Sequence, residues 1–163
     1  VNFLTRGKII LLGTALLAWP GLAQANIGDT LTDLRGRYGS AKDMGGQMLF
    51  EVRLANGQIV PARGSANGED HLTITVYFDG VHSAMEVFTR NTSDPIKANL
   101  SPADIDAILA ATNEGQEWHP IEVPTGHATW VRSDHKLIAR FSPNKTGMPD
   151  DASVLVIMLN ADK

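Results

Sequence analysis

The apolar and polar positions of this chain sort into one long uncharged run followed by short periodic segments. No charged residue occurs from Ile9 to Ala23. Beyond it, Leu31, Leu34 and Tyr38 recur at the three- and four-residue spacing of a helix with one apolar stripe, which predicts a first helix within residues 27–39. Asp29 or Thr30 can cap its start, and Gly39 stands where a helix stop favours positive φ. Gly36 inside the run costs about 1 kcal/mol relative to alanine, so this helix depends on packing.

The period then changes to two. Met48, Phe50, Val52 and Leu54 alternate with Leu49, Glu51 and Arg53, the pattern of a strand covered on one face. Asn56-Gly57 makes a turn, and Pro61 in the return segment 58–62 limits it to a short edge strand or a loop. Residues 63–70 are polar and Gly-rich, as in an exposed loop. Residues 71–89 read as two strands around Asp79-Gly80, a pair suited to a two-residue hairpin turn. That turn would set Phe78 opposite Val81, Val76 opposite Ser83, Ile74 opposite Met85 and Leu72 opposite Val87. The other face would pair Tyr77 with His82, Thr75 with Ala84 and Thr73 with Glu86.

Ser101-Pro102 with Asp104 marks a second helix start, Ile105, Ile108 and Leu109 give its buried stripe, and Gly115 its end. Three further strands are expected at residues 128–132, 136–141 and 153–159. The last is apolar from Val154 to Leu159, which predicts a central strand buried on both faces. The expected fold class is α+β: an antiparallel sheet of about five to seven strands with two helices packed on one face. The order of elements suggests a duplicated helix-plus-meander unit.

The uncharged run has a meaning of its own. Arg6 and Lys8 precede it, Pro20 breaks it, and it ends at Ala23-Gln24-Ala25, small residues at the positions a signal peptidase reads. Residues 1–25 are therefore expected to be a cleavable signal peptide, with a single globular domain at 26–163 in the periplasm or outside the cell. No membrane span is expected after cleavage, and no cysteine follows that could carry a lipid anchor.

Composition narrows the partners. Losing Arg6 and Lys8 from 14 basic residues leaves 12 against 18 acidic ones, without a basic cluster to displace counterions from phosphate, so nucleic acid is disfavoured. The chain has no cysteine, which excludes a disulfide framework, a thiol nucleophile and a thiolate metal site.

Ile27-Gly28-Asp29-Thr30, with Leu34 and then Tyr38-Gly39-Ser40-Ala41, resembles the opening of small bacterial envelope domains of the SmpA/OmlA (BamE-like) kind, where a Gly-x-Thr helix start leads to a Leu-Gly-x-Pro-like end. Those proteins are lipoproteins with a helix pair ahead of the sheet, whereas this chain lacks the lipobox cysteine and places its second helix after several strands. In element order it is more similar to the β-lactamase inhibitory protein, built of tandem helix-and-sheet units. Both resemblances imply a protein-binding role, and neither supplies a catalytic residue.

The residues themselves point the same way. His71, His82, His119, His127 and His135 form no HxxxH, HxH or HExxH arrangement, and His119 before Pro120 reads as a loop residue. No Gly-x-Ser-x-Gly elbow, P-loop or dinucleotide fingerprint occurs, and Ser65 has no histidine or acid beside it. Asn67-Gly68-Glu69-Asp70 and Asp150-Asp151 lack the alternating spacing of a calcium loop. No catalytic residue, metal or cofactor is expected. The expectation is an exported non-catalytic protein-binding module, inhibitor-like or assembly-factor-like, using the polar sheet face: Tyr77, His82, Thr75 and Glu86, with Trp130 as a further aromatic anchor. An exported hydrolase with a dispersed site and a structural surface component are the alternatives.

Overall fold

The computed structural model describes residues 27–62, 71–92, 94, 98–123, 127–143 and 152–161. The expected signal peptide, the loop at 63–70 with Ser65 and its acids, and Asp150-Asp151 lie outside the described residues.

Two helices form where the capping chemistry places them. In α1, Leu31–Tyr38, the Thr30 hydroxyl accepts from the Asp33 N–H at 3.3 Å, and the Asp33 carboxylate accepts from the Thr30 N–H at 3.0 Å. Thr30 is thus the cap, which leaves Asp29 to pair with Arg37. Gly39 ends the helix at φ 87°, and a Cβ there would lie 3.3 Å from that of Pro61. In α2, Pro102–Ala111, Ser101 and Asp104 form the same reciprocal box. This helix ends with Thr112 as its cap, ahead of the expected Gly115, and the Thr112 hydroxyl donates back to the Ile108 carbonyl at 2.9 Å.

The rest is sheet: β1 Ala41–Asp43, β2 Gln47–Ala55, β3 Gln58–Pro61, β4 His71–Asp79, β5 His82–Asn91, β6 Trp118–Ile121, β7 Ala128–Arg132, β8 Leu137–Ser142 and β9 Val154–Leu159. All pairings are antiparallel, in the order β1-β2-β4-β5-β9-β8-β7-β6, and β3 continues along the same side of β2 as β1. This corrects the expected class. Among the described residues a nine-stranded antiparallel sheet carries the fold and the two helices are only eight and ten residues long, so it is largely a β-sheet fold rather than an α+β sheet of five to seven strands under two helices. The missed strands are edges: β1 is a three-residue polar segment, and β6 contains Pro120, which an edge strand tolerates because no ladder donor is needed on its open side. His119 lies in β6 and not in a loop.

The hairpin also departs from expectation. Asp79 pairs with His82, so the two-residue loop is Gly80-Val81, and a bulge follows between Tyr77 and Phe78. Phe78 faces Ser83 but Tyr77 faces Met85, which leaves Ala84 as the extra residue. From there on Val76 faces Glu86, Ile74 faces Phe88 and Leu72 faces Arg90. One inserted residue moves Met85 and Val87 off the buried face and puts Glu86 and Phe88 on it.

The core collects on that face. Phe50, Ile74, Val76, Phe88, Leu155 and Ile157 from the strands meet Leu34 and Tyr38 of α1 and Ile105, Ile108 and Leu109 of α2, with Tyr38 edge-on to Phe50 at 5.5 Å. The last strand, β9, is central but buried on one side only: Leu155 and Ile157 are covered, whereas Val154, Val156 and Met158 remain partly exposed. No helix among the described residues is long and apolar enough to cross a membrane.

Candidate functional site

The face opposite the core is ordered by the register of the strands. Tyr77 lies beside Met85, Met85 beside Met158, Met158 beside Ile138, and Ile138 beside Val131. These five side chains come from five consecutive strands, β4, β5, β9, β8 and β7, and each is partly exposed. At about 4.8 Å per strand the row spans roughly 19 Å. Thr75, Val87 and Val156 run alongside it in a second row. Sequence reasoning found Tyr77 and Thr75 but missed the methionines, because Met85 was assigned to the core by the unbulged register and Met158 by the apolar run of its strand.

The other candidate residues separate. His82 is exposed at the hairpin end and is tied to the chain entering α1: its Nδ1 lies 2.8 Å from the Gly28 carbonyl, and Thr30 forms an isolated bridge with it. Beside it the Gly28 N–H donates to the Ser83 carbonyl at 2.7 Å and the Ser83 N–H to the Asp29 carbonyl at 2.8 Å. Trp130 is on the core side, packed against the cluster. Glu86, expected on the polar face, is 1% exposed in the core.

Burial is the main reason that the Glu86 carboxyl is pushed up to about 7, partly countered by the charge of Arg37 and the Tyr38 hydroxyl. Its Oε1 and the Tyr38 hydroxyl have no hydrogen-bond partner of good geometry among the described residues. A carboxylic acid in this setting is protonated below neutrality, and the neutral form costs less to bury than the anion.

Arg132, 4% exposed, is held differently. Its Nε and Nη2 donate to the two oxygens of Asp134 at 3.0 and 2.8 Å, and Nη1 donates to Glu114 at 2.6 Å. The guanidinium hydrogen bonds hold the Asp134 carboxyl down at about 2. Asp104 feels a desolvation that opposes its charge, yet hydrogen bonds from Ser101 and Arg90 outweigh it and keep this carboxyl below its ordinary range. Ion pairs of this kind brace a fold.

Three of the clefts among the described residues lie along the sheet. One of about 680 Å³ runs between Gly36, Gly39 and Ser40 at the end of α1 and Lys42, Glu51 and Pro61. A second, of about 450 Å³, is lined by Leu31, Met48, Phe78 and Val81 at the hairpin end. The third, of about 480 Å³, lies between the end of α2 and the β6–β7 pair, with Trp118 and Trp130 in its wall. Among the described residues no three His, Asp or Glu side chains converge as a metal site would require. No protein-family model, no curated protein and no solved structure matches this chain.

Proposed function

We propose that this chain is an exported, non-catalytic protein-binding module, and that it docks a protein partner on the sheet face opposite its core. The observation that supports the reading is the row of Tyr77, Met85, Met158, Ile138 and Val131 across five adjacent strands, partly exposed in every case. Tyr and Met are enriched in protein interfaces, and a broad sheet surface suits a macromolecule better than a small ligand, which prefers a concave pocket. Export rests on the leader-like residues 1–25, and predicts that material from the periplasm or culture fluid begins Asn26-Ile27-Gly28-Asp29.

Photocrosslinking tests the surface. A photoreactive residue at position 85, compared with one at the exposed Thr32 of α1, should trap a distinct protein in the native compartment, and the adduct should disappear in Tyr77→Ala. No adduct from position 85, adducts equally from both positions, or only a dimer of this chain would overturn the reading.

A further inference from the structure

The tryptophan-walled cleft at the end of α2 is built from chemistry that the sheet face does not use. Trp118 pairs with Arg132 and Pro120 with Trp130, so the two indoles are diagonal neighbours on one face of the β6–β7 pair, about 7–8 Å apart at the backbone. The Trp118 Nε1 is buried without an acceptor, so that ring offers the cleft carbon rather than its N–H.

The rim is polar and its donors and acceptors are sorted. Asn113 Oδ1 accepts from the Gly115 N–H at 2.9 Å, and Gln116 Oε1 accepts from the Ser133 hydroxyl at 2.9 Å. Each amide oxygen is thereby occupied within the protein, which leaves the two NH2 groups as donors. Asp106 and Glu117 supply exposed carboxylates, neither of which has an ion-pair partner among the described residues. The Glu117 N–H donates to Ser133 Oγ at 3.2 Å, and the Ser133 N–H returns a bond to the Glu117 carbonyl at 2.8 Å, so the loop is fixed before anything binds.

An aromatic wall with amide donors and carboxylate acceptors around it selects among ligand classes. An anion would meet two carboxylates, and a cation would leave the amide N–H groups turned toward like charge. A purely apolar ligand would desolvate the carboxylates without return. A sugar ring matches all three features: its C–H face lies on indole, and its hydroxyls donate to carboxylates while accepting from amides. The volume of about 480 Å³ is within the range of about 300–1,000 Å³ usual for small-molecule sites. We propose that this cleft binds a neutral saccharide, with one pyranose ring against Trp118 and Trp130 and its hydroxyls held by Asp106, Asn113, Gln116 and Glu117. The site is independent of the protein-docking face.

The tryptophans report on their own site. Titrating the protein with neutral oligosaccharides of α- and β-linked glucose and of N-acetylglucosamine should give a saturable change in tryptophan fluorescence with at least one of them, assigned by Trp118→Phe and Trp130→Phe. Gln116→Ala combined with Asp106→Asn should weaken that binding about tenfold, equivalent to about 1.4 kcal/mol, and Asp106→Asn alone, which touches no hydrogen bond of the loop, should weaken it in the same direction. Tyr77→Ala should leave it as it was. No saturable change with any of these sugars at millimolar concentration overturns the proposal, as does saturation by tetramethylammonium in their place, or sugar binding that the Gln116 and Asp106 changes do not weaken.

Discussion

Glu86 and Arg132 are both buried on the core side of one sheet, yet the fold treats their charges in opposite ways. Arg132 keeps its charge because Asp134 and Glu114 surround the guanidinium with three hydrogen bonds at the end of β7, where both acids still reach water. Glu86 lies in mid-strand between Val76 and Ile157, where Oε1 has no hydrogen-bond partner among the described residues and the charge of Arg37 only partly offsets burial, and it responds by holding its proton up to about neutral pH. A charge can be brought inside by pairing only where partners fit. Elsewhere the cheaper course is to neutralise it.

Breaking the paired side should cost most. Arg132→Met leaves Glu114 and Asp134 facing one another without their cation, and we expect a loss of about 3–5 kcal/mol in urea unfolding at pH 7. A loss under about 1 kcal/mol would show that the network adds little to its own burial cost. The unpaired side should respond with the opposite sign. Because the folded-state pKa of Glu86 is raised from 4.5 to about 7, its contribution is fully present below about pH 4.5 and is lost as pH rises through 7, on the order of 3 kcal/mol in all. Glu86→Gln should therefore be the more stable protein at pH 8 and nearly equal to wild type at pH 4.5. Equal stability difference at both pH values would mean that Glu86 does not titrate in this range.

The two sides together shape the pH profile. Asp134 and Asp104 both have lowered folded-state values, so their contributions hold above about pH 4 and are lost as pH falls, that of Asp134 as pH approaches about 2. Chemical unfolding across pH should thus show a stability maximum between about pH 4 and 5, displaced toward neutrality in Glu86→Gln. A wild-type maximum above pH 7 contradicts the comparison. The smallest effect belongs to Tyr38→Phe. Its hydroxyl favours the ionised form of Glu86 without a hydrogen bond of good geometry, so removing it should shift the midpoint of the Glu86 loss upward while changing stability by about 1 kcal/mol or less. A downward shift would place the hydroxyl as a partner of the protonated acid instead.

Local chemistry was legible in the chain alone. Thr30 and Ser101 cap the two helices because a short hydroxyl side chain followed three residues on by an acid satisfies orphan N–H groups wherever it occurs. The alternation around Phe50 and Ile74 marks strands with one buried face for an equally local reason, since side chains on a strand point to alternate sides. What the chain alone left open depends on partners distant in sequence. The polar β1 and the proline-bearing β6 become strands only because β2 and β7 offer them open edges. The row from Tyr77 to Val131 exists only in the order β4-β5-β9-β8-β7, and the cleft beside Trp118 exists only once α2 ends next to β6. Glu86 shows the limit most sharply: its place depended on a single bulged residue, and with a side-chain period of two, one insertion carries every later side chain of the strand to the other face.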